Sequence, residues 1–320
     1  MRKKFILIFL LISLLFSGCG AQEDAKENKT VRIAEQFGIA YAPIQIMKHQ
    51  KLIENNLYGA TVVWEQMANT TAIREAMVAD KLDVGFMAIP PFLIGWDKGM
   101  EWKIATGLSY VPVGLVTKNT IGSLADFGTD DRIALPQPGS VQHILLSMAC
   151  KDELGDAGIL DNNLVTLSHP DGLNALMAGN EVTAHFTATP YLETELESSE
   201  YDLLLDGREV FGQDFSFIVG VTTDAFYQGS PELYDAFVLS VQEAVDFINQ
   251  NPQEAAAILS EYYDMTEEEI LKHISSEKAD YNTTAVGTRK FSDFMVEAGY
   301  LSKGYEDPGD IIWEDVKYEE

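Results

Sequence analysis

Arg32-Ile33-Ala34 recurs as Arg132-Ile133-Ala134, one hundred residues further along the chain. A second echo has almost the same spacing. "AMVADKLDVGFMAIPPF" (76–92) aligns without gaps on "ALMAGNEVTAHFTATPY" (175–191), an offset of 99, with identities at Ala76/Ala175, Ala79/Ala178 and Pro91/Pro190. The shared pattern is an amphipathic helix ending in a small residue, a polar turn, a strand, then a proline and an aromatic. Two echoes at nearly one spacing are the mark of a unit used twice. They predict two α/β lobes of similar design.

The intervening pattern agrees. "TVRIAEQ" reads as a strand, "APIQIMKHQKLIEN" as a helix with Pro43 near its start, and "ATVVWEQ" as a strand. "TTAIREAMVADK" then reads as a helix and "LDVGFMAI" as a further strand. Short β-rich runs alternating with helical periods point to α/β architecture with largely parallel sheets. Open sheets of this kind bind ligands beyond the carboxyl ends of their strands. Those ends are "EQFGIAY" (35–41) and "MAIPP" (87–91) in lobe one, "LPQPGSVQH" (135–143) and "FTATP" (186–190) in lobe two. Lobes that face each other line one cleft with these four loops.

The chain begins "MRKKFILIFLLISLLFSGCG": a basic start, an apolar run over 5–16, then Ser17 and Gly18 before Cys19. The run is short for a bilayer span and reads as a secretory signal over 1–18. Cys19 resembles the lipobox cysteine that becomes the acylated (palmitate-bearing) N-terminus of a bacterial lipoprotein, although Phe16 stands where leucine is usual. An ordinary cleaved signal is the alternative. The polar stretch 19–30 reads as a flexible tether. The body is therefore expected to be soluble, extracytoplasmic and lipid-anchored to the bacterial cell membrane. Removing the three signal cations takes the net charge from −28 to −28 − 3 = −31, which argues against nucleic acid as a partner. With Cys19 acylated, Cys150 is the one thiol left, and in "ILLSMACKDEL" it reads as a packed structural residue. The five histidines (49, 143, 169, 185, 273) show no i, i+4 pairing, so zinc is not expected. G-x-S-x-G, H-E-x-x-H and P-loop motifs are absent.

"GIAYAPIQIMKHQKLIE", "AMVADKLDVGFMAIPPFLIG", "GSLADFGTDDRIALPQPGSVQHILL" and "LMAGNEVTAHFTATPYLE" resemble bacterial ABC-transporter substrate-binding proteins. The similar subfamily includes sulfonate-, taurine-, nitrate- and thiamine-pyrimidine-precursor-binding proteins. The resemblance runs from about residue 31 to about 250. It implies a type II periplasmic-binding-protein fold, two lobes joined by two hinge strands, with crossings near 114–124 and 217–226. Lobe one is then 31–118 plus 222–320, and lobe two 119–221. Leu233, Phe237, Val238, Val241, Val245 and Ile248 share one helical face that must bury against a core, which fits a discontinuous lobe one. The resemblance further implies a monomeric binding protein, without enzymatic activity or cofactor, that delivers a small molecule to a membrane permease and its ATPase.

In "PGSVQHILLSMACK", Val141, Ile144, Leu145, Met148 and Ala149 recur at helical spacing, which makes Ser140 a natural N-cap. Unpaired backbone N–H groups at such a helix start favour a negative ligand atom. By resemblance to sulfonate binders, Ser140, Val141 (through its backbone), Gln142 and His143 are candidate ligand contacts. Thr187 and Thr189, flanked by Phe186 and Tyr191, suit a small organic ligand with an apolar body. Gln36, Phe37 and Tyr41 offer a donor and two aromatic walls, while Ala88, Ile89 and Pro90 offer shape and backbone groups. Glu35 at the cleft would oppose an anion and suit an amine or an aminopyrimidine. No Lys or Arg sits in the four loops, and Arg208 and Lys118 are the cations that could approach. The leading expectation is capture of a sulfonate-, taurine- or nitrate-like solute, with a nitrogenous aromatic such as a thiamine precursor as the alternative. Two other readings stand beside it: Ser140–His143 as a hydrolytic pair, since residues three apart on a helix can meet, and a sensor lipoprotein that binds a partner protein.

Overall fold

A computed structural model describes residues 29–179 and 181–320. The signal segment and the lipidation expected at Cys19 lie outside the described residues. β1 (Thr30–Glu35), α1 (Ala42–Gln50), α2 (Leu52–Asn56), β2 (Thr61–Gln66), α3 (Thr70–Val78), β3 (Val84–Met87), α4 (Ile89–Asp97) and β4 (Trp102–Ser109) build the first lobe. The second holds β5 (Val113–Lys118), β6 (Ile133–Leu135), α5 (Val141–Leu154), β7 (Leu164–Thr166), α6 (His169–Ala178), β8 (Ala184–Ala188), α7 (Tyr191–Leu196), β9 (Tyr201–Asp206) and α8 (Gly207–Phe211). The chain then returns through β10 (Ile218–Thr223), α9 (Asp224–Gly229), α10 (Pro231–Gln250), α11 (Pro252–Leu259), α12 (Glu267–Ile274), β11 (Ala285–Val286), α13 (Thr288–Glu297) and β12 (Tyr318–Glu319).

The first sheet has the order β2-β1-β3-β10-β4 and the second β7-β6-β8-β5-β9. These are one topology written twice, each with a single antiparallel strand fourth in line: β10 between β3 and β4, β5 between β8 and β9. Each lobe receives that strand as the chain passes between lobes. Val113–Lys118, assigned from sequence to lobe one, therefore lies in the second sheet, and Ile218–Val221, assigned to lobe two, in the first. The crossings fall at residues 110–112 and 212–217. Both strands are almost wholly buried, so neither shows the alternation that would reveal which lobe it serves.

The two echoes also obey one register. Ile33 faces Val84 as Ile133 faces Ala184, so the strands match at an offset of 100, not 99. The difference arises in the helices: α3 has nine residues and α6 has ten. Pro90, rather than Pro91, is the counterpart of Pro190. The C-terminal helices cover lobe one, with α10 packed against α1, α2 and β4. Leu233, Phe237, Val241, Val245 and Ile248 are buried there as the periodicity requires, while Val238 at the edge of that face is half-buried.

Candidate functional site

Ser140 caps α5: its Oγ accepts from the His143 backbone N–H at 3.3 Å. The preceding turn needs Gly139 at φ 79°, a left-handed conformation that glycine adopts without steric cost. The His143 ring faces away from Ser140. Its Nδ1 accepts from the Gly139 N–H at 2.9 Å and its Nε2 lies 3.0 Å from Asp161 Oδ1. Both ring nitrogens are thus engaged, and the hydroxyl–imidazole contact a hydrolytic pair needs is not formed. The turn is instead locked, and Ser140, Val141 and Gln142 at the start of α5 line the space between the lobes.

That space is a cavity of about 30 Å³, room for roughly two water-sized groups. Lobe one and its returning strand contribute Gln36, Phe37, Tyr41, Ala68, Thr70, Ala88, Pro91, Phe217 and Ile218; lobe two contributes Pro136, Gln137, Ser140, Val141, Gln142 and His169. Gln36, Phe37, Tyr41, Ala88, Ser140, Val141 and Gln142 are brought together here as the sequence suggests. Ile89, His143, Phe186, Thr187 and Thr189 are not among the lining residues. Ile89 and Phe186 are fully buried in the apolar core. Thr189 donates to Glu193 at 2.8 Å. Thr187 is buried one layer back, its Oγ1 hydrogen-bonded to His169 Nδ1 at 3.0 Å.

Two polar wall residues, His169 and Thr70, lie outside the four loops expected from sequence, and Gln137 lies within one of them without having been singled out. Thr70 and His169 begin the helices that follow β2 and β7. Those strands are also parallel members of their sheets, so their carboxyl ends point into the same cleft. The readable signal was the capping pairs Asn69–Thr70 and Ser168–His169. Across the mouth, the Thr71 N–H and Oγ1 each donate to Gln137 Oε1 at 3.0 Å, joining the lobes. Gln36 Nε2 donates to Thr70 Oγ1 at 3.2 Å and to the Phe86 carbonyl at 3.3 Å.

The cavity wall carries neither carboxylate nor cation; its titratable residues are Tyr41 and His169. Glu35 points the other way, buried with Gln45 donating to it at 2.7 Å and Lys48 paired to its other oxygen. Burial pushes its carboxyl above the ordinary range against the pull of Lys48. Arg208 stacks 4.2 Å from the Tyr110 ring beside Asp214, and Lys118 donates to the Gly179 carbonyl, so neither reaches the wall. His169 stacks on Tyr191 with ring centres 5.8 Å apart, and the Gln142 amide lies 3.4 Å from its Nε2. Burial, with His185 nearby, pushes its pKa down to about 3, so the ring is neutral at physiological pH. The Thr187 hydroxyl can donate to Nδ1 or accept from it; with the Gln142 amide nitrogen donating to Nε2 the ring proton sits on Nδ1, and an N–H at Nε2 requires the Gln142 amide to turn away from it.

Behind His169, His185 Nδ1 meets Glu195 Oε1 at 2.6 Å with both side chains fully buried. The spacing would suit an ion pair, but burial pushes His185 down to about 3 and Glu195 up to about 9. Both shifts favour a neutral carboxyl donating to a neutral ring. The native state then holds the Glu195 proton while the unfolded chain loses it above about pH 4.5. The stability this group contributes is full below that pH and drains away as pH rises towards 9. Glu195→Gln keeps a donor and removes the titration, so its Tm is expected to fall less between pH 6 and 9 than that of the parent. Parallel melting curves check this.

The NMT1-like family model matches residues 24–261. The chain belongs to the NMT1-like family. No curated protein sequence matches it significantly. Among solved structures it is similar to the alkanesulfonate-binding protein SsuA of Xanthomonas axonopodis pv. citri bound to MOPS, at 15% identity and a TM-score of 0.73, covering 92% of this chain and 100% of that one. The aliphatic sulphonate-binding SsuA of Escherichia coli superposes at 17% identity and a TM-score of 0.69, covering 90% and 98%. The periplasmic nitrate-binding protein NrtA of Synechocystis PCC 6803 does so at 15% identity and a TM-score of 0.69, covering 86% and 83%. The fold is that of type II periplasmic binding proteins, with the cavity of this NMT1-like protein between its two lobes.

Proposed function

We propose that this NMT1-like protein is the solute receptor of an ABC importer: it closes its lobes over a small oxyanion-bearing solute and hands it to a permease and its ATPase. The observation that carries this reading is a cavity walled by both lobes and furnished with neutral hydrogen-bond donors. Those donors are the Gln142 amide, the first N–H groups of α5 and the His169 ring, while the Gln36 amide is spent on Thr70 and the Phe86 carbonyl. A helix start favours an anion, and ligand contacts to both lobes are what allow binding to favour closure. The enclosed volume suits a head group of a few atoms, so the body of a larger solute requires the lobes to part further. The secretory signal, the Cys19 anchor and a monomeric receptor at the outer face of the cell membrane complete the proposal. Nothing in the site supports hydrolysis.

The wall also bears on ligand charge. With Glu35 turned away, an ammonium group finds no carboxylate on the wall, whereas an oxyanion, equally without a counter-ion, finds amide donors and the positive end of α5. This favours a sulfonate- or nitrate-like ligand over one that carries an ammonium group at the same place. Propane-1-sulfonate and taurine have nearly the same shape and differ in a methyl against an ammonium. Calorimetry is expected to show propane-1-sulfonate binding at least about tenfold tighter. Equal or tighter binding of taurine refutes the charge argument; failure of sulfonates and nitrate alike to bind refutes the receptor reading.

A further inference from the structure

We infer that Tyr300 is a positioning residue: anchored on lobe one, it holds the binding turn of lobe two in its closed placement by seating its hydroxyl against Ser147 and His143. Tyr300 follows α13, which packs on α4 of lobe one and buries Met295, while Phe291 meets Phe211 and Phe215 at the second crossing. Two residues on, Ser302 donates through its N–H and Oγ to the Asp97 carboxylate at the end of α4, at 3.1 and 2.6 Å. From this anchor the side chain reaches lobe two. Its hydroxyl hydrogen-bonds to Ser147 Oγ at 2.8 Å and lies 3.5 Å from His143 Nε2, with the rings edge to face at 5.3 Å.

The contacts on lobe two form one line. Gly139 faces Ile94 of α4 so closely that an added Cβ would sit 2.6 Å from its Cδ1; His143 and Ser147 meet Tyr300; Lys151 pairs with Glu297. His143, Ser147 and Lys151 are four apart, one face of α5, and Gly139 continues the line in the turn before it. The upper end of that line is the turn that builds the cavity, because His143 accepts the Gly139 N–H. The cavity-side face of α5 and the face gripped by lobe one are therefore parts of one rigid helix start. Parting the lobes breaks the Tyr300 contact, and losing that contact makes parting easier.

The test uses the ligand-free full chain, so it does not depend on the transport reading. The Thr71 N–H has its hydrogen bond to Gln137 across the mouth, a bond that exists only while the lobes are together and that no atom of Tyr300 touches. Residue-resolved hydrogen exchange in Tyr300→Phe is expected to speed Thr71 roughly three- to tenfold, the loss of about one hydrogen bond. The amides over 139–143 accelerate likewise, while the core of α10 does not. Ser147→Ala removes the same bond from the other side and gives the same acceleration, and the double variant adds little to either. The inference is overturned if Thr71 exchanges at the parent rate in both single variants, or if acceleration is confined to residues flanking position 300.

Discussion

Gly172→Ala is expected to destabilise the protein by about 1–3 kcal/mol, although the change adds one methyl group to a helix and should favour helix formation. Gly172 lies on α6 directly over the His185 ring, where an added Cβ would sit 2.6 Å from Cε1 and 2.8 Å from Cδ2. The ring is fully buried and tied to Glu195, so it cannot swing aside. In a chain of this size such a loss lowers Tm by very roughly 2–10 °C. Gly229→Ala is the control: it has open space around it and no left-handed backbone, and should cost nothing measurable. Pairing Gly172→Ala with His185→Ala should recover part of the loss, because the two sites share one volume. An unchanged Tm in Gly172→Ala would remove the packing argument altogether.

The same pair of positions shows how the duplication was used. In lobe one the strand residue is Gly85, packed under Ile73 of α3, whose Cγ2 would stand 2.5 Å from an added Cβ. In lobe two the large residue is on the strand, His185, and the glycine on the helix, Gly172. Volume is conserved while its source is exchanged, the kind of swap cores tolerate. The exchange places an imidazole behind the lobe-two half of the cleft and none behind the lobe-one half.

Much of the architecture was legible because backbone pairing repeats with the residues. Asp83 N–H donates to the Arg32 carbonyl and Thr183 N–H to the Arg132 carbonyl, so the repeated Arg-Ile-Ala marks the same point in both sheets. A gapless match could not show that α6 is one residue longer than α3, and a one-residue error moves every strand side chain to the other face. With all five residues of β8 buried, no polar alternation identifies the face towards the cleft: Phe186 belongs to the apolar core, and Thr187 supports the cavity from behind through His169. The loops after β2 and β7 carry a weaker signal in the sequence. Both strands are edge strands with much exposed surface, and their ends look like ordinary turns until the sheet order is known.

His169→Ala is expected to weaken binding of an oxyanion about 10- to 150-fold, the worth of one hydrogen bond to a charged group. His169 is the one histidine on the cavity wall, held by Thr187 at Nδ1 and by stacking on Tyr191, so its Nε2 is aimed before a ligand arrives. His169→Gln keeps an N–H near that point without the ring's rigidity and should recover part of the affinity. The ring also has a pH signature. Its folded pKa, about 3, lies below the ordinary 6.5, so the native state binds fewer protons than the unfolded chain. The stability it contributes is complete above pH 6.5 and is lost as pH falls towards 3; His169→Gln should therefore melt higher than the parent at pH 4 relative to pH 7. Because the ring stays neutral near pH 7, nitrate or propane-1-sulfonate affinity should be level from pH 6.5 to 8. A tenfold fall in affinity per pH unit across that range would mean the anion is held by an imidazolium, and the neutral-donor site described here would be wrong.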